Sequence, residues 1–325
     1  MRFPTAFARA LAAGMLLLIA GAAGAQQPYP SKPIRFIVPY SAGGTMTIVA
    51  RLVGLKLTES WGQQLIIDNR PGGNTIIGTD ALAKSVPDGY TIMLSSSAHV
   101  LVPLLVKAPF DPIKDFAPVA TVANTELILL VHPTVPANNL KEFIAYAKTK
   151  PGQLNYATPV AGGGQHMASE ILNLEAGIKM QHIPYKGAAP ALTDLLGGQV
   201  QLYFSTSVTA IPHIKTGRLK ALAITGEKRL STVPEVPTFA EGGVSGFTNL
   251  GPFYGVLAPA GTPKAIIDKM SAEIAKHLAT PDFQEKLVAN GLAAYPTTPE
   301  QYAALMQSDI VRYANIIKAA NIKLQ

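Results

Sequence analysis

A chain of 325 residues that is 48% hydrophobic and 14% charged can bury a substantial core, and its length points to two domains rather than one. The formal charge of +7 is spread thinly, with no block of five or six like charges, so a nucleic-acid partner has no support. Cysteine is absent, which removes disulfides, thiolate metal sites and cysteine nucleophiles together.

In chain order, Arg2 and Arg9, the apolar segment from Ala10 to Ala20 and the small residues Ala23-Gly24-Ala25 read as a secretory signal over residues 1–25. The mature protein is expected to begin near Gln26 and to be soluble, because the apolar segment falls short of the roughly 20 residues that span a bilayer. The stretch from Ile34 to Leu57 then joins an apolar strand to an amphipathic helix reaching about Trp61, with Gly62 as its stop. Between them Gly43 and Gly44 free the backbone, and Thr45 or Thr47 is placed to cap the first helical turn. A strand, a glycine turn and a helix start collect unpaired N–H groups where the helix dipole is positive, which attracts anions.

Gln64 to Asp68 and Tyr90 to Leu94 read as further strands, with a helix from about Thr75 to Lys84 between them. Strands alternating with helices imply a mainly parallel sheet with ligand sites at the carboxyl ends of its strands, where Ser96 and Ser97 lie. From Leu101 to Ala120 four prolines discourage long elements. Leu127 to Val131 is a strand, and the pattern then restarts, which marks a crossing into a second lobe. Asn139 with Glu142 opens a helix in the manner of a capping box. Leu154 to Ala157 is a strand, Thr158 to Gly164 a glycine-rich turn, and Gln165 to Leu174 the helix it opens, so the first lobe's unit recurs.

Met180 to Pro184, Val200 to Phe204 and Leu219 to Thr225 read as strands, with Ser205 and Thr206 at the end of the second. Phe253 to Leu257 reads as the return crossing. Helices from about Pro263, Pro281 and Pro299 complete the chain. The expected organisation is α/β, with residues 26–125 and 250–325 as one domain, 126–249 as the other, and two hinge crossings of the kind that close on a ligand.

The usual enzyme motifs are missing. Neither G-x-S-x-G, H-E-x-x-H nor a P-loop occurs, and Met167 stands where G-x-G-x-x-G would need its last glycine. The six histidines show no metal-ligand spacing. His166 lies at the mouth of the second glycine turn, either to hydrogen-bond an oxyanion or as a helix-start packing residue. The expected site thus joins Tyr40, Gly43, Gly44, Thr45 and Thr47 with Ser96, Ser97, Thr158, Gly163, Gly164, His166, Ser205 and Thr206. It is a pocket of hydroxyls and amides, with no catalytic residue, cofactor or metal. Hydrogen bonds to a charged group contribute roughly 1.5–3 kcal/mol each. Four or five of them, less ordering costs, support micromolar binding of about −8 kcal/mol.

Over nearly all of its mature length the chain resembles the Bug family, the periplasmic solute receptors of tripartite tricarboxylate transporters. The resemblance is carried by Tyr29-Pro30-Ser31-Lys32-Pro33-Ile34, Val38-Pro39-Tyr40 with Gly43-Gly44, Asp68-Asn69-Arg70-Pro71-Gly72 and Pro87-Asp88-Gly89-Tyr90-Thr91. It continues through Pro151-Gly152-Gln153-Leu154-Asn155-Tyr156, Pro184-Tyr185-Lys186-Gly187, Leu195-Leu196-Gly197-Gly198-Gln199-Val200 and Leu257-Ala258-Pro259-Ala260-Gly261-Thr262-Pro263. It implies a two-domain periplasmic binding protein of the Venus-flytrap type II, not an enzyme, closing as a monomer on a small organic carboxylate such as a di- or tricarboxylate or an aromatic acid. It further implies delivery to membrane permease subunits; presentation to a sensor kinase is the alternative reading, and a periplasmic hydrolase a weaker one. In the family the carboxylate is met by the turns that correspond to Tyr40–Thr47 and Thr158–His166. Thr47 replaces the family's usual aspartate in G-G-x-x-D, and Ser205 replaces a common Asp or Asn, changes that disfavour an amine ligand.

Overall fold

Short aliphatic runs and amphipathic segments alternate along the chain, and they fold as strands and helices in that alternation. The computed structural model describes residues 29–247, 250–319 and 322, so the expected signal lies outside the described residues. The first elements are β1 (Ile34–Val38), α1 (Thr45–Trp61), β2 (Leu65–Asn69), α2 (Ile76–Ala83), β3 (Thr91–Ser96), α3 (Ala98–Leu101) and β4 (Phe116–Asn124). They are followed by β5 (Leu127–Val131), α4 (Leu140–Lys148), β6 (Asn155–Thr158), α5 (Gly164–Ala176), β7 (Gln181–Pro184), α6 (Ala188–Leu196), β8 (Leu202–Thr206), α7 (Ser207–Lys215) and β9 (Lys220–Ile224). The chain closes with β10 (Phe253–Pro259), α8 (Lys264–Leu278), α9 (Pro281–Ala289), β11 (Ala293–Ala294) and α10 (Pro299–Ala319).

Two sheets result. One runs β11-β4-β10-β3-β1-β2, the other β7-β6-β8-β5-β9. Both are mixed, which corrects the expectation of mainly parallel sheets. β1 pairs in parallel with β2 and β3, as β6 does with β7 and β8, through crossover helices. The strands next to the chain's passages between sheets run the other way: β10 is antiparallel to β3 and β4, and β5 to β8 and β9. A strand that enters from the far sheet arrives without a crossover helix, so nothing forces it parallel.

β5 is buried on both faces, which its unbroken L-I-L-L-V run requires. Leu127, Leu129 and Val131 pack with Phe204, Phe239 and Phe247, while Ile128 and Leu130 pack on the other side with Tyr203 and Leu195. The Phe239 and Phe247 rings stack at 3.9 Å. In the six-stranded sheet, Ile37, Met93 and Leu257 pack against Tyr302 and Met306 of α10. The Tyr302 ring lies directly on the backbone of Gly255, where a Cβ would stand 2.5 Å from it.

β4 was not expected, because Pro118 argues against a strand. It is tolerated because β11 pairs only with Ala123 and Asn124, leaving β10 alone beside Pro118, and because the β4–β10 register slips there. Other local signals act as read. Gly62 ends α1 in the left-handed conformation, and Asn139 accepts the Glu142 N–H at 2.9 Å while Glu142 takes the Asn138 N–H at 2.8 Å. Among the described residues no helix is long and apolar enough to cross a membrane.

Candidate functional site

The glycine turns after β1 and β6 are built alike. Pro39 and Pro159 follow their strands, Gly43 and Gly162 take φ of 88° and 80°, and Gly44 and Gly163 cap the helices in extended conformation. Only glycine adopts those left-handed angles without strain, so both turns are tight and leave the helix starts bare. Neither helix has a side-chain cap. This corrects the capping role expected of Thr45 or Thr47. The Thr45 hydroxyl instead meets the Thr206 hydroxyl at 2.6 Å, and Thr47 Oγ1 accepts from Asn69 Nδ2 at 3.0 Å.

Both helix starts open on one cavity of about 40 Å³. Of the expected site residues, Tyr40, Gly44, Thr45, Ser96, Ser97, Gly163, Gly164 and Thr206 line it; Gly43, Thr47, Thr158, His166 and Ser205 do not. Thr158 is buried and bonded to His182 Nε2 at 2.6 Å, and the Ser205 hydroxyl is bonded to that of Thr209 at 2.8 Å. Ser41, Met46, Pro159, Val160 and Gln165 also line the cavity and fall inside the two expected turns. Ala98, next to the expected Ser97, lies outside them, as do Ala188, Pro252 and Tyr254, which carried no local signal.

The cavity is neutral, with no charged side chain in its lining. Its donors are hydroxyls and amides. The N–H groups of Thr45 and Met46 at the start of α1, and of Gly164 and Gln165 at the start of α5, have no acceptor among the described residues. Gly163, expected as a donor, is already turned to the Val160 carbonyl at 3.1 Å, because the tight turn closes on itself. The Tyr40 hydroxyl shares a 2.9 Å bond with Ser96, and burial pushes its pKa up to about 12, so it stays a neutral phenol.

His166 plays the packing role of its two readings. Its Nδ1 accepts the Gly162 N–H at 2.9 Å, which props the turn, and its ring stacks on His182 at 4.0 Å. Tyr156 caps the stack and donates to Glu170. Desolvation lowers His166 to about 3, with His182 adding to the shift, and lowers His182 to about 4, so both rings are neutral near pH 7. Among the described residues no group of three or more His, Asp and Glu side chains could hold a metal ion.

The two halves of the site touch. The Ser41 N–H reaches the Lys186 carbonyl at 3.3 Å, and a Cβ on Gly44 would stand 3.2 Å from that of Ala188. Gly187 is where they meet most closely, since a Cβ there would lie 2.0 Å from Ser41 Oγ and 3.2 Å from its backbone nitrogen.

Residues 49–322 match the sequence profile of a family described as tripartite tricarboxylate transporter family receptor. Protein BugT of Bordetella pertussis is 35% identical over 317 residues, 96% of this chain and 97% of its own. Among solved structures, R. palustris Rpa4515 with adipate aligns at a TM-score of 0.88 and 31% identity, covering 91% of this chain and 99% of that one. MatC (Rpa3494) from Rhodopseudomonas palustris with bound malate aligns at 0.84 and 30% identity, covering 89% of this chain and all of the other.

Proposed function

This chain belongs to the tripartite tricarboxylate transporter receptor family, and from that premise we propose that it captures a small organic carboxylate between its lobes and hands it to the permease subunits of such a transporter. The family and its structural neighbours are periplasmic solute-binding proteins, not enzymes. The observation that carries the reading is the pair of bare helix starts, α1 and α5, facing one neutral cavity. Their free N–H groups and positive dipole ends favour an anion. With no carboxylate side chain in the lining, an amine finds no counter-charge. Adipate and malate in the two R. palustris relatives support the same class.

Closure fits the reading too. The Thr45–Thr206 bond and the Ser41–Lys186 bond join the two halves across the cavity, so a hinge opening that separates the halves would break them. The domains are 26–125 with 250–325, and 126–249. Supporting this, β4 ends in one sheet at Asn124, β5 starts in the other at Leu127, and β10 returns at Phe253. Ligand-dependent thermal unfolding tests the function. Small carboxylates, adipate and malate among them, are expected to raise the unfolding temperature; a response confined to cationic or neutral solutes would overturn the reading.

A further inference from the structure

Tyr254 stands on β10 opposite Ser96 of β3, and its side chain lines the cleft cavity. The residue is 2% exposed, yet its hydroxyl has no hydrogen-bond partner among the described residues. Tyr203 on β8 is fully buried and its hydroxyl is likewise unpaired; so is that of Ser41, which also lines the cavity. Phenylalanine would fill either tyrosine position without leaving a polar atom dry, so packing alone does not account for these hydroxyls. Burial holds the Tyr254 phenol well above its ordinary value, and the neighbouring phenols of Tyr40 and Tyr203 add to the rise. It is therefore a fixed neutral donor and cannot become a competing anion.

We propose that Tyr254 determines specificity in the cleft, donating its O–H to a ligand oxygen other than those held by the helix starts. The preferred solute is then a short carboxylate with a second oxygen function, not a plain alkanoate. This rests on the carboxylate-receptor reading. A cavity that hydrogen-bonds a ligand oxygen rejects the analogue lacking it, because the protein hydroxyl is then left buried and unpaired.

The experiment is calorimetric titration of the full mature chain and of Tyr254→Phe with butanoate, 4-hydroxybutanoate, butanedioate, hexanoate and hexanedioate. The wild type is expected to favour the doubly oxygenated member of a length-matched pair by about 10- to 100-fold, and the variant to shrink that ratio to about 3-fold or less. The hydroxybutanoate arm tells whether the second oxygen is taken as hydroxyl or as carboxylate. The ligand-free unfolding temperature of Tyr254→Phe should hold or rise, since the lost hydroxyl had no partner. A variant that keeps the wild-type ratio overturns the proposal while leaving the receptor reading intact. A wild type that binds no member of the series overturns the carboxylate reading itself.

Discussion

The two helix starts that face the cleft share a chain order and differ in what braces them. The turn after β1 is held from a neighbouring strand: Asn69 Nδ2 on β2 donates to the Tyr40 carbonyl and to Thr47 Oγ1, both at 3.0 Å. The turn after β6 is held from within its own helix, by His166 accepting the Gly162 N–H. One brace is a neutral amide that nothing near pH 7 can alter. The other places a titratable ring in a dry turn, stacked on a second histidine. The same uncapped helix start is thus braced by a group insensitive to acid in one half and by a titratable one in the other.

Acid should expose that difference most strongly. An unfolded histidine titrates near 6.5, and folding lowers His166 to about 3 and His182 to about 4. Between those values the unfolded chain binds more protons, so stability is full above about pH 6.5 and falls as pH drops toward 4. The loss is on the order of 2 kcal/mol per histidine at pH 4.5. His99, lowered to about 4 by burial, acts in the same direction. Asp309, raised to about 6 by burial, acts in the opposite one, because its folded form gains the proton first. Denaturant midpoints at pH 7.5 and 4.5 should therefore converge more closely in His166→Gln/His182→Gln than in the wild type. Equal pH dependence in the two would remove the histidine brace as the cause.

Closure comes next in size. Gly187→Ala forces a Cβ against Ser41, and overpacking of this kind costs roughly 1–3 kcal/mol, or about 5- to 150-fold in affinity. Calorimetry with the best carboxylate should show that loss, and X-ray scattering an expanded average shape. An unchanged affinity would mean that Gly187 does not limit closing. A smaller effect is expected at the first turn's own brace. Asn69→Ala leaves the Tyr40 carbonyl and the Thr47 hydroxyl unanswered, which should lower stability by about 1–2 kcal/mol in denaturant unfolding, without steepening its pH dependence.

Thr45→Val gives the smallest change. It removes the hydroxyl bond to Thr206 across the cleft, worth about 0.5–1.5 kcal/mol, so binding should weaken roughly 2- to 10-fold. Because that bond links the two halves of the cavity, the substitution is expected to act through the open–closed balance. A drop in ligand-free stability as large as the drop in affinity would instead assign Thr45 to the fold.

Local signals were enough to place β5 by its unbroken apolar run, α1 by its helical spacing, α4 by its capping residues, and α5 and the two turns by their glycines, because each depends on neighbours within a few residues. The same holds for Gly62 as a helix stop and for the Asn139–Glu142 capping box. A linear pattern could not supply partners far along the chain. Pro118 enters β4 only because β10 alone flanks it, and Thr47 turns from cap to acceptor only because Asn69 arrives from β2. Tyr254 reaches the cavity only because β10 returns to lie beside β3, which places it opposite Ser96. Local backbone preference decided where the bare helix starts occur. Long-range strand pairing decided which hydroxyls surround them and which amides remain free.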